Sequence, residues 1–133
     1  MPLKLTTNRK TNMQKPNSVK HAEILIWVTL AVTSIVSIIE LKMGLISGSL
    51  LVSTLLLNCV YGIIPYKIGA GSNAARYIYA VLCALGFALL VSDVVPGMPQ
   101  IELVVAWVEL PVTLYTLYLL FNATSKPWFV RAR

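Results

Sequence analysis

The residue in this chain best placed to do chemistry is Glu109. It stands inside an otherwise apolar run, residues 103–121 (LVVAWVELPVTLYTLYLLF), two residues before Pro111. A charged carboxyl deep in a bilayer costs ~2.5–3.5 kcal/mol on insertion scales, so this one is expected to be paired or protonated and turned toward protein. Counting ~1.5 Å per residue from Leu103 puts it ~9 Å into a ~30 Å hydrocarbon layer. The same depth falls near Ser37 and Asn58 in two other apolar runs, which makes those residues its expected partners. Thr113 lies one helical turn further along the Glu109 face, with Glu102, Ala106 and Thr116. Pro111 removes an amide donor and frees the Trp107 carbonyl, so a kink is expected beside the acid. An acid next to a freed carbonyl could handle a proton or a cation.

Other chemistries find few residues to carry them. Cys59 and Cys83 both fall within apolar runs and read as small buried hydrophobes. The only histidine, His21, precedes the first run, so no metal constellation and no metal cofactor is expected. The sequence shows no paired acids at one depth and no nucleophile–base pair, and no enzyme is expected. The glycine-rich connector KIGAGSNAAR, residues 67–76, lacks the Lys-Ser or Lys-Thr ending of a phosphate-binding loop. Ser72 or Asn73 is instead the expected N-cap of the helix that follows, whose start, with Arg76 nearby, can attract an anion.

The elements that hold these residues are set by composition. Apolar residues make up 57% of the 133 and charged residues 12%. Soluble domains carry about 25% charged residues, so this surface is not built for water. The apolar residues gather in four runs, each close to the ~20 residues that cross a bilayer as a helix. The expected fold is an all-α membrane protein, a four-transmembrane-helix antiparallel bundle with spans at about 23–43, 50–66, 77–95 and 103–121. Residues 1–22 are expected to form a disordered basic tail, and residues 123–133 a second basic tail.

Each span carries a polar or small-residue stripe. Thr29, Thr33, Ser37 and Glu40 share one side of the first, and Thr54, Asn58 and Tyr61 one side of the second. Tyr79, Cys83, Gly86 and Asp93 do so on the third. Small and hydroxyl side chains at such spacing let helices approach and hydrogen-bond across their contact. Tyr115 and Tyr118 of the last span point elsewhere.

Charge sets the expected orientation. Lys4, Arg9, Lys10, Lys15, Lys20, Lys67, Arg76, Lys126, Arg131 and Arg133 fall on one side of the four spans, and only Lys42 on the other. That bias places both termini and the middle loop in the cytoplasm. Lys67, Arg76, Lys126 and Arg131 are then candidate contacts for anionic lipid. With the basic residues outside the spans, the net charge of +6 points to a membrane surface and not to nucleic acid.

The segments Gly71-Ser-Asn-Ala-Ala-Arg76, ahead of the third span, and Ser125-Lys-Pro-Trp-Phe129, after the fourth, resemble those of a loosely defined group of small bacterial inner-membrane proteins. In that group the loop often reads Gly-basic-Asn-Trp-Ala-Arg; here Ser72 and Ala74 replace its basic and tryptophan positions. The resemblance implies a four-helix topology and a bacterial inner membrane, and it carries over no catalytic residue.

Three classes of function fit this layout. The first, and the expected one, is a non-enzymatic accessory or interaction module that binds other membrane proteins or a second copy. The second is a small proton-coupled transporter built on Glu109. The third, an enzyme acting on lipid or quinone, lacks the residues just enumerated.

Overall fold

The computed structural model describes residues 14–92 and 99–130. Six helices occupy them: α1 (Asn17–Lys42), α2 (Gly48–Tyr61), α3 (Ile63–Gly69), α4 (Asn73–Val91), α5 (Gln100–Phe121) and α6 (Lys126–Val130). Among the described residues the chain is all-α. Four stretches are long and apolar enough to cross a membrane: α1, α2 with α3 (Gly48–Gly69), α4 and α5. Of the expected disordered tail, residues 1–22, the first 13 lie outside the described residues, as do the acidic turn holding Asp93 and the terminal Arg131 and Arg133.

Helix α1 begins at Asn17, ahead of the expected start at residue 23. Val19 and Ala22 explain the extension, because they continue the Ile26 stripe toward the N-terminus and are fully buried. Lys20 and His21, which give this segment its polar look, are exposed on the other side. Pro16 precedes the first turn, where its missing amide costs no helical hydrogen bond.

The second span is broken at Gly62, between α2 and α3. Pro65, three residues on, cannot donate to the Tyr61 carbonyl and crowds it, which loosens the helix there. Gly62 also admits Trp27 of α1: a Cβ built on it would lie 3.2 Å from that ring. Helix α5, in contrast, runs unbroken through Pro111.

Helix α1 is the central strut. It packs most extensively against α5 and also against α2 and α3, while α4 packs against α3 and α5. The core lies at one end, the end carrying Lys15, Lys20, Lys67, Arg76 and Lys126. Val19, Ala22, Ile26, Ile68, Leu119, Leu120 and Phe129 close it. Short helix α6 forms its floor, held by the turn before it. There the Asn122 side-chain oxygen accepts from the Thr124 amide (2.6 Å) and hydroxyl (2.8 Å). Ser125, wholly buried, donates to the Leu119 carbonyl (2.5 Å) and lies 2.7 Å from the Ser18 hydroxyl. At the opposite end, among the described residues, only Ser37 and Glu40 are buried, and α2 buries no residue at all. Burial among the described residues is therefore concentrated at the basic end.

Candidate intramembrane polar sites

Glu109, Asn58 and Ser37 were expected to meet at one depth, with Thr113 one turn further along the Glu109 face. The structure divides them between separate clefts. Glu109 and Thr113 line a cleft of about 400 Å³ between α4 and α5, with Cys83, Gly86 and Ala106. One Glu109 oxygen, Oε1, is buried without a hydrogen-bond partner among the described residues. The wall opposite is α4, whose Gly86 has open space where a side chain would be.

Asn58 works elsewhere. Its amide donates to the Ser34 hydroxyl (2.9 Å), which in turn donates to the Leu30 carbonyl (2.8 Å). This relay joins α2 to α1 in the floor of a second cleft of about 820 Å³, lined by Trp27, Ala31, Ser34, Leu55, Asn58 and Gly62 among others. Ser34 was missed in the sequence because the hydroxyl stripe Thr29–Thr33–Ser37 drew the eye to the neighbouring face. Those three hydroxyls each bond a carbonyl four residues back on α1, Leu25, Thr29 and Thr33 respectively, all at 3.0 Å. Their donors are therefore satisfied within the helix, a common use of Ser and Thr in apolar helices. Ser37 is buried but does not reach Glu109 by a hydrogen bond.

Cys83 and Thr113 line both the Glu109 cleft and a smaller neighbouring cavity of about 210 Å³, which Thr29, Tyr61 and Tyr79 also line. Tyr79 lies beside Cys83 and Thr116 and within electrostatic reach of Glu109. Polar side chains of α1, α4 and α5 thus line one small cavity.

At the end away from the basic residues Glu40 of α1 is fully buried, and neither of its oxygens has a partner among the described residues. Glu102 of α5 stands next to it. Sequence reading found no paired acids at one depth; the structure brings these two together because α1 and α5 pack along their lengths. The only signal was that each lies near the same end of its span. Among the described residues no group of three or more acidic, cysteine or histidine side chains is placed to hold a metal ion.

The basic end holds a different arrangement. Arg76, in the first turn of α4, is only 6% exposed. Its guanidinium carbon lies 5.1 Å from the ring centre of Tyr77, 5.0 Å from that of Phe121 and 4.8 Å from that of Phe129. Helices α4, α5 and α6 each supply one ring, and cation–π attraction of ~0.5–2 kcal/mol rewards the assembly. The nitrogens Nε and Nη1 find no acceptor among the described residues. Expected as an open contact for lipid, Arg76 is instead caged, whereas Lys67 and Lys126 are exposed. Nearby, Lys15 pairs with Glu23 over Gly69.

Comparison with known protein families, curated proteins and solved structures finds no match to this chain.

Proposed function

We propose that this chain is a non-enzymatic accessory module of a bacterial inner membrane, both termini cytoplasmic, which seats a transmembrane helix of another membrane protein. The observation that carries this reading is Asn58. Its nitrogen is engaged with Ser34, its side-chain oxygen accepts no hydrogen bond among the described residues, and the residue lines a wide cleft within the apolar part of the chain. Lipid tails offer no donor to such a group, and a polar side chain on a neighbouring helix does. Ala31 and Ser34, small side chains lining the cleft, let a helix backbone come close. The weak lateral attachment of α2, which buries nothing, gives that helix freedom to adjust around a guest.

Crosslinking in cells, gentle extraction and mass spectrometry of what co-purifies test this directly. A foreign membrane protein in fixed stoichiometry is the expected result. A clean monomer or homo-oligomer would overturn it.

A second reading, a small proton-coupled transporter, is favoured by one observation: Glu109 keeps a buried oxygen, without a partner among the described residues, in a cleft that shares Cys83 and Thr113 with a smaller neighbouring cavity. Proton-coupled uptake into liposomes that is lost in Glu109→Gln would establish it, and equal uptake by both proteins would dismiss it.

A further inference from the structure

The cleft between α4 and α5, at about 400 Å³, has the size of a small-molecule site, for which ~300–1,000 Å³ is usual. Glu109 is the one charged group in its wall. Cys83 and Thr113 add a thiol and a hydroxyl, and the remaining side chains are apolar, Phe87, Leu90 and Leu110 among them. The sequence makes the gap directly. Gly86 gives α4 no side chain where the cleft needs room, and no atom lies within 4 Å of the place a Cβ would take. Ala106 is the small residue that lines it from α5. Phe87 and Leu89 are exposed, so the cleft borders the outer surface of the helix pair.

What the cleft lacks is a counter-charge. The Oε1 atom of Glu109 is buried with no donor among the described residues, where the one ion pair is Lys15 with Glu23. Helix α5 holds no basic residue, and Arg76 of α4 is held in its own aromatic cage at the basic end. A carboxylate among apolar groups attracts a cation far more strongly than it does in water. An inorganic cation fits poorly: Ca²⁺ takes ~6–8 oxygen ligands and Mg²⁺ about six, whereas the side chains of this wall offer one carboxyl and one hydroxyl. An organic ammonium suits it better. Its N–H groups need few acceptors, its apolar body packs on Leu90 and Leu110, and a ring such as Phe87 attracts a cation that approaches its face.

We propose that the α4–α5 cleft binds an amphipathic organic amine in its protonated form, with the Glu109 carboxylate as counter-charge and the space beside Gly86 receiving the apolar body. The proposal deepens the transporter reading, on whose cleft it rests, by naming the class of ligand; it is a claim about binding, whether or not the ligand is carried across.

Equilibrium dialysis of the whole chain in phosphatidylcholine nanodiscs at neutral pH, corrected for uptake by empty nanodiscs, tests this. The probes are phenylbutylamine, which is protonated, and phenylbutanol, which has the same body without the charge. Saturable binding of the amine, about tenfold tighter than that of the alcohol, is the expected result; a factor of ten is close to the low end for a hydrogen bond to a charged group. Glu109→Gln should abolish the difference between the two probes. Gly86→Leu is the second variant: it leaves the carboxyl in place, fills the space opposite and should weaken the amine about tenfold. Open space at that position and the better helix propensity of leucine keep the fold. Ser53→Ala, on the exposed face of α2, should bind as the parent does. Equal binding of the two probes, or amine binding unchanged in both cleft variants, would overturn the proposal. Uptake into liposomes is read separately. Amine binding without uptake upholds the site and dismisses transport, whereas proton-coupled uptake of another species with no saturable amine binding overturns this proposal alone.

Discussion

Replacing Asn58 by leucine tests the one side-chain hydrogen bond that joins α2 to α1. The bond is 2.9 Å long, and Ser34, its acceptor, also donates to Leu30, so the substitution leaves no orphaned donor on α1. Leucine is as compatible with lipid as any residue of α2, so the loss is the bond itself. Hydrogen bonds between helices in membranes average ~0.6 kcal/mol and reach ~1.7 kcal/mol, which sets the expected destabilisation at ~0.5–1.5 kcal/mol. Tyr118→Leu is the control: this ring is 64% exposed and only stacks on Tyr115, 6.4 Å away. It should cost less than ~0.5 kcal/mol. The assay is reversible unfolding in mixed micelles of both single variants, of Ser34→Ala and of Asn58→Leu with Ser34→Ala. The pair should show a coupling near ~0.6 kcal/mol. Zero coupling, or Asn58→Leu no more damaging than Tyr118→Leu, would refute the assignment of Asn58 to the α1–α2 contact.

Other perturbations address the basic end and the acid. Ser125→Ala removes the bonds to Leu119 and Ser18 from a fully buried position and should cost ~1–3 kcal/mol in the same unfolding assay. Ser53→Ala, on the exposed face of α2, should stay within ~0.5 kcal/mol. Gly62→Val pushes a branched side chain into Trp27, already 3.2 Å from a bare Cβ, and should cost ~1–3 kcal/mol by forcing α1 and α2 apart. A shift in tryptophan emission should accompany it, and an unchanged spectrum would count against the close approach. Glu109→Gln should fold normally, because Oε1 has no partner to lose among the described residues. Failure of that near-isosteric variant to fold would mean that an ionised carboxylate is held there by a cation.

The four apolar helices were legible because each is a long run with few charges, a signal that survives any error in register. Helix boundaries were less so: Val19 and Ala22 are three residues apart among polar neighbours, too short a stripe to outweigh Lys20 and His21. The break at Gly62 was hidden because the apolar run of the expected span 50–66 continues through it, and Pro65 stands at the end of that run, where a loosened turn leaves no mark on hydropathy. Glu109, Asn58, Ser37 and Thr113 each stand on a helix long and apolar enough to cross a membrane, yet their grouping depended on how far one helix slides along another. Depth from a span's end does not set that offset or the direction in which each stripe faces, so Asn58 met Ser34 and not Glu109. The Arg76 cage was still less visible. Its rings lie at positions 77, 121 and 129, on three helices, and nothing local in the sequence links them. Once the fold is known, the Trp-Phe pair of the tail acquires a structural reason: Phe129 closes the basic end and covers the arginine.

The central claim is that the α1–α2 cleft seats a helix from another protein, and site-specific photocrosslinking in intact cells tests it most directly. A photoreactive residue at Leu55 lies in that cleft, and one at Val81 lies on the exposed face of α4. The account predicts a discrete protein adduct from position 55 that is absent from position 81 and is lost when Asn58→Leu is added. Adducts with lipid alone from both positions would contradict it.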